Sequence, residues 1–336
     1  MTSALNKIAV IGGGSWGTAL ALAAARAGRE ATIWARDAET VTAINTSKQN
    51  PKYLPGIQWT EEITATDSLQ DAVSDADALL LVTPAQTTRA MTEAIKPFLK
   101  PAVPIVLCAK GIEQKTGRLL SEIIKSVAPE AIPAALSGPS FASDVTKGLP
   151  TAVTIAAEDG AVADQLSAAL ASNSFRPYAT DDLIGVQIGG ALKNVLAIAC
   201  GAAIGYGLGA SAQAALTARG FAELTRLGMA LNARSETLTG LSGLGDLVLS
   251  CSSTQSRNFA FGLKIGQGRK PEELVAPGQK LAEGAFSANI AVELATQHGV
   301  DMPIAQAVSQ VVAGKIDVAQ ALSDLMTRPL KRETHP

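Results

Sequence analysis

Three observations predict an α/β fold, a doubly wound parallel sheet followed by an all-helical region. Short apolar runs alternate with helical patterns over residues 1–180. The strand patterns then stop, and 181–336 reads as helices broken by Gly and Pro. A glycine-rich turn joins the first apolar run to the first helix, the usual entry into such a sheet. The chain is therefore divided at 180/181 into a sheet-forming half and a helical half, in line with the prior of about two domains for this length.

The first strand is Lys7-Ile-Ala-Val-Ile11, and Gly12-Gly-Gly-Ser-Trp-Gly17 follows it into an alanine-rich helix over 17–28. Gly12, Gly14 and Gly17 supply G-x-G-x-x-G in the strand-turn-helix setting that the motif requires. Gly12 permits a tight turn, Gly14 lets the backbone approach a pyrophosphate, and Gly17 lets the helix lie close on the strand. Amides at the helix start, around Ser15 and Trp16, face the anion together with the positive end of the dipole. A glycine turn of purely structural use is the alternative, and the strand that follows favours the dinucleotide. The first half is thus Rossmann-type.

That second strand is Glu30-Ala-Thr-Ile-Trp-Ala-Arg36-Asp37. Its end lies about 20 residues past the glycines, where an acid ordinarily binds the ribose hydroxyls of the cofactor. Arg36 comes first here. A guanidinium accepts a 2′-phosphate by bidentate bonds or lies on the adenine face, so the cofactor is NADP or NAD. An ordinary surface Arg-Asp pair fits the same residues.

Ala78-Leu-Leu-Leu-Val-Thr83 before Pro84 and Val103-Pro-Ile-Val-Leu-Cys-Ala109 before Lys110 read as strands buried on both faces. Ala135–Ala142 and Ala152–Ala157 are shorter ones, and helices are predicted over 39–46, 86–99 and 117–127. Ligands bind at the carboxyl ends of such strands, so topology makes Thr83, Pro84 and Lys110 site candidates. In the second half, helices are predicted over 182–204, 211–232, 242–250, 255–265, 284–297, 303–311 and 316–325.

With 47% hydrophobic and 17% charged residues, the composition is that of a globular protein with a large core. A net charge of −2 offers no field for nucleic acid. Cys108, Cys200 and Cys251 lie far apart in apolar segments and read as reduced core thiols, which with the short polar start Met1–Asn6 predicts a cytoplasmic protein. Ile184–Leu208 is long and apolar enough to cross a bilayer, but it carries Gln187, Lys193, Asn194 and Tyr206. A buried central helix explains it better, so no membrane insertion is expected, and no metal. The apolar helical half has surface enough for a homodimer.

A nicotinamide oxidoreductase needs a protein group to carry the proton that accompanies hydride. Histidine is the usual choice, but His335 is next to last and His298 closes a helix at Gln297-His-Gly299. Lys193 is better placed, interrupting Ile188-Gly-Gly-Ala-Leu-Lys-Asn-Val-Leu-Ala-Ile-Ala199. An amine buried there must be paired or lose its proton, and burial lowers its pKa toward the range of proton transfer. A lysine snorkelling to the surface is the plain alternative. Asp246, in Leu241-Ser-Gly-Leu-Gly-Asp-Leu247, is a carboxylate in an equally apolar setting, either a partner for that lysine or an N-cap after glycine. In Cys251-Ser-Ser-Thr-Gln-Ser-Arg-Asn-Phe259, hydroxyls with Arg257 and Asn258 at a helix start suit a phosphate, or else a plain N-cap beside a solvated arginine.

Taken in order, Gly-Gly-Gly-Ser-Trp-Gly-Thr-Ala-Leu, Val-Thr-Pro-Ala, Cys-Ala-Lys-Gly-Ile-Glu, Ser-Gly-Pro-Ser-Phe-Ala, Ala-Leu-Lys-Asn, Gly-Leu-Gly-Asp-Leu and Ser-Arg-Asn span the whole chain. This ordered set resembles the bacterial NAD(P)-dependent glycerol-3-phosphate dehydrogenases. The resemblance implies cofactor contacts at Ser15, Trp16, Arg36, Tyr53, Lys110, Ala142, Arg257, Leu281 and Glu283. It implies a substrate lined by Lys110, Gly138, Ser140, Lys193, Asp246, Ser256, Arg257 and Asn258, with Lys193 as proton acceptor, oriented by Asp246. The implied reaction interconverts sn-glycerol 3-phosphate and dihydroxyacetone phosphate, supplying the glycerol phosphate of phospholipids. Two other readings stay open at this point: a β-hydroxyacid or phosphogluconate dehydrogenase, and a non-catalytic dinucleotide sensor. The adjacency of Lys193 and Asn194 speaks against the first, and the set Lys110, Lys193 and Asp246 against the second.

Overall fold

A computed structural model describes residues 5–275, 282–330 and 332. Among the described residues, eight strands form one sheet: β1 (Lys7–Ile11), β2 (Glu30–Trp34), β3 (Thr64–Thr66), β4 (Ala78–Leu81), β5 (Pro104–Leu107), β6 (Ile132–Ser137), β7 (Thr151–Ala157) and β8 (Phe175–Thr180). Their spatial order is β3-β2-β1-β4-β5-β6-β7-β8. Every pair is parallel except β6 and β7, where Ala134 opposes Ala157 in an antiparallel register. The sequence predicted neither that reversal nor the edge strands β3 and β8.

The strand order reverses between β1 and β4, the switch point at which open α/β sheets bind their ligands. Side chains alternate across β1: Ile8 and Val10 join the core on one face, Ala9 and Ile11 that on the other. Both faces are covered, so the central strands read as continuous apolar runs. The first helix, Ser15–Arg26, packs its alanines into the first of these cores.

The contacts divide the chain into two compact units, Met1–Gly190 with Leu231–Asp246, and Ala191–Ala230 with Leu247–Pro336. The expected division was a single cut at 180/181; by contacts the first unit runs on to Gly190 and takes in residues 231–246 as well. A short stretch rich in glycine and leucine carries no mark of which core it will join. The helix Leu183–Gly205 runs through the boundary, and 89% of its most apolar window is buried inside the protein, as befits a core helix.

In the second unit, glycines set the spacing of two helices. A Cβ on Gly201 would lie 2.1 Å from Phe259 O, and one on Gly262 would lie 2.1 Å from Ile198 O. Only glycine allows Arg257–Gly266 to approach the long helix so closely.

Candidate active site

The glycine turn leaves β1 at the switch point. Gly12 has φ +131, and a side chain there would press on the backbone of Val82, 3.1 Å away. A Cβ on Gly17 would stand 1.8 Å from Gly12 O, so the helix is packed directly on the turn. Gly14 is different: a Cβ there would meet nothing within 4 Å, and its backbone faces open space. The first α-helical bond runs from Thr18 N to Gly14 O at 2.9 Å, which leaves the amides before it directed outward at the helix start. Trp16 packs partly against the core.

Asn50 underlies this turn, and the sequence reading missed it. It is fully buried, and its Nδ2 donates to Gly13 O at 2.9 Å and to Thr18 Oγ1 at 2.8 Å. Its backbone carbonyl accepts from Tyr53 N and Leu54 N, at 3.2 and 2.7 Å. One residue thus ties the glycine turn to the loop that carries Tyr53, which is 46% exposed. At the end of β2, Arg36 is exposed and Asp37 starts the helix Ala38–Ser47.

Two buried hydroxyls at strand ends have no hydrogen-bond partner, Thr83 Oγ1 just past β4 and Ser137 Oγ at the end of β6. Such orphans are costly unless something completes them. Together with the open backbone at Gly14, they make this end of the sheet fit a dinucleotide.

Lys110 follows β5, and its Nζ donates to Asp246 Oδ2 at 2.5 Å. The carboxylate is 1% exposed, and the pair links residues 136 positions apart. Asp246 opens the helix Asp246–Ser252, directly after a π-helical turn at Leu241–Gly245. Beside it, a Cβ on Gly190 would lie 2.9 Å from Ser137 Oγ and 3.5 Å from Lys110 Cγ, so glycine lets the long helix pass close to both. Gly138, with φ +147, turns the chain out of β6, and Ser140 Oγ donates back to Gly138 O at 3.0 Å. Ala142 begins the short helix Ala142–Thr146. Lys110, Gly138, Ser140 and Asp246 thus all belong to the first unit, whereas the other predicted substrate residues belong to the second.

There, Lys193 is buried at 6% exposure and does not snorkel to the surface. Its Nζ donates to Ser250 Oγ at 2.8 Å, a contact the sequence did not announce. Ser256 caps the helix Arg257–Gly266 by accepting from Phe259 N at 3.3 Å. Arg257 is exposed at the start of that helix, and Asn258 is buried. Asn258 Oδ1 accepts from Gly284 N at 2.9 Å, and a Cβ on Gly284 would lie 2.5 Å from Asn194 O. Glu283, the first residue of the helix Glu283–Gln297, is therefore brought beside Asn194 and Asn258 through its neighbour. Leu281 lies outside the described residues. His298 is the C-cap of the same helix.

With this geometry in hand, comparison with known proteins is decisive. Residues 7–163 match the N-terminal family model of NAD-dependent glycerol-3-phosphate dehydrogenase, and residues 182–323 match its C-terminal counterpart. The chain belongs to this family. A curated glycerol-3-phosphate dehydrogenase [NAD(P)+] of Parvibaculum lavamentivorans is 53% identical over 334 residues, 99% of this chain and all of the relative. One from Brucella canis is 56% identical, covering 98% of this chain and 99% of its own. The crystal structure of glycerol-3-phosphate dehydrogenase from Coxiella burnetii superposes with a TM-score of 0.90 at 36% identity, over 96% of this chain and 99% of that one. The family's two halves meet the two patterns read from the sequence, sheet first and helices after.

Proposed function

We propose that this chain interconverts sn-glycerol 3-phosphate and dihydroxyacetone phosphate with NAD(P), and that Lys193 carries the proton. The observation behind this reading is a buried ammonium on an apolar helix, hydrogen-bonded to Ser250, in a chain that matches the family over both halves. Residues 1–180 hold the dinucleotide, through Gly12, Gly14, Ser15, Trp16, Gly17, Arg36, Tyr53, Lys110 and Ala142, and 181–336 add Arg257, Leu281 and Glu283.

Bound NAD(P)H supplies the hydride for C2 of the ketone. Lys193 donates a proton to the alkoxide as it forms and removes it again in the oxidative direction. Ser250 fixes where the ammonium points. Lys110 lends positive charge to the substrate, and Asp246 holds that ammonium in place at 2.5 Å. Gly138 and Ser140 line the substrate. Arg257 forks onto its phosphate beside Asn258 and the amides capped by Ser256, so that binding energy away from the reacting carbon fixes its position. The partner is a small molecule. A homodimer and a cytoplasmic setting complete the reading, the latter supported by three cysteines that are all buried free thiols.

The test is oxidation of NADPH by the purified chain with dihydroxyacetone phosphate, a β-keto acid of the hydroxyacid pathway type, or, in reverse, 6-phosphogluconate. Turnover confined to the triose phosphate supports the reading. Equal or better turnover of the acids overturns it, and cofactor binding without any turnover leaves a dinucleotide sensor.

A further inference from the structure

The run Cys108-Ala-Lys-Gly-Ile-Glu113 ends on an acid that the proposed chemistry does not use. Glu113 stands in the loop after β5, three residues past Lys110, with its side chain only 8% exposed. The carboxylate accepts from Arg89 Nε and Nη2, both at 2.9 Å, and from Thr116 Oγ1 at 2.5 Å. Arg89 holds this carboxyl below its usual range against the effect of burial. A forked pair of this kind fixes direction as well as distance. Arg89 belongs to the helix Thr88–Ile95, which follows β4.

Gln86, just before that helix, makes a second tie. Its Nε2 donates to Ile112 O at 2.8 Å, and its Oε1 accepts from Gln114 N at 2.9 Å. One amide thus grips the backbone on either side of Glu113. Within the loop, Glu113 N donates to Arg118 O at 3.0 Å and Gly117 N to Glu113 O at 2.9 Å, which folds the segment on itself. Upstream of Lys110, Cys108 N donates to Leu81 O, the last residue of β4, at 3.0 Å. Lys110 therefore lies between two points where its chain is bound to residues 81–89: Leu81 behind it, Gln86 and Arg89 ahead. An ion pair with one buried partner adds little net stability, because taking the charge out of water offsets what pairing returns. What the pair does supply is a fixed loop.

We propose that Gln86 and the Arg89–Glu113 pair are positioning residues for Lys110, holding its ammonium where the substrate binds. This rests on the proposed function, in which Lys110 faces the substrate. The test is a double-mutant cycle on kcat/KM for dihydroxyacetone phosphate at saturating NADPH. Arg89→Met leaves the acid buried and unpaired, and lowers kcat/KM about tenfold, part of the ~10²-fold that a 1 Å misplacement costs. In a Lys110→Met background the same change costs no more than about twofold, because the group it positions is already gone. A merely structural clamp would cost the same factor in both backgrounds. Gln86→Ala, at an exposed position, repeats the cycle without stranding a buried charge. Hydrogen exchange reads the same device without turnover: amides 110–114 exchange faster in both single variants, while β5 stays protected. Wild-type kcat/KM in Arg89→Met and Gln86→Ala, equal losses in the two backgrounds, or unchanged exchange at 110–114 overturns the proposal and leaves the proposed function standing. Failure of the wild type to reduce dihydroxyacetone phosphate defeats both.

Discussion

An ammonium only 6% exposed on a helix of glycine, alanine and leucine has lost most of its water, and hydrogen bonds must replace it. Ser250 supplies one at 2.8 Å, which makes it a positioning residue for Lys193. Replacement Ser250→Ala is expected to lower kcat/KM for dihydroxyacetone phosphate about tenfold, as loss of a hydrogen bond to a charged group does. The pH-rate profile separates this role from a purely structural one. Without the hydroxyl that accepts from the charged form, the limb set by Lys193 moves to lower pH, while the affinity for NADPH is kept. An unmoved limb contradicts the assignment. At this scale the sequence was uneven. Lys193 was legible because a charge stands out in an apolar run. Ser250 was not, because serine in a helix is ordinary and its partner lies 57 positions away. Nor was the bond from Lys110 to Asp246: the carboxylate was singled out from its surroundings, with Lys193 as its expected charge, and folding across 136 positions brings Lys110 to it.

At the scale of elements, the second unit contains a buried acid outside the proposed chemistry. Glu223, on the helix Ala210–Ala230, accepts from Ile304 N at 2.8 Å and Ala305 N at 3.1 Å, capping the helix Pro303–Val312. Burial pushes its carboxyl up to about 7, against the pull of those two amides. In the unfolded chain it titrates near the usual 4.5. Between these values the folded state binds more protons than the unfolded one, so the contribution of Glu223 to stability is complete below pH 4.5 and lost as pH rises through 7. The Tm of the wild type should fall between pH 5 and pH 8, and Glu223→Gln should flatten that slope. Equal slopes in the two proteins exclude Glu223 as the cause. Central elements were readable because burial on both faces writes an unbroken apolar run. β3, three residues of Thr-Ala-Thr, is too short to show a period. β8 contains Pro177 and alternates buried with exposed positions, as an edge strand tolerates and a central one does not.

For the molecule as a whole, the order of elements followed from pattern, and the way the chain returns did not. Residues 231–246 rejoin the first unit and carry Asp246 to Lys110, which no local propensity specifies. The reversal at β7 has the same origin, since the direction of a strand depends on where the preceding connection emerges. What the sequence did contain was the set of groups: a glycine turn, an arginine at a strand tip, and a lysine inside an apolar helix. The structure adds fixing partners for two of them, Asn50 beneath the glycine turn and Ser250 beside Lys193, each a small polar residue whose importance lies in contacts distant along the chain. The account stands or falls on Lys193, and one measurement reaches it directly: turnover of dihydroxyacetone phosphate by Lys193→Ala, with the NADPH dissociation constant of the same preparation. The predicted result is a loss of roughly 10²–10⁴ in kcat with the dissociation constant unchanged, the contribution of a positioned acid or base. Turnover within about tenfold of wild type, or turnover and NADPH affinity lost together, contradicts it.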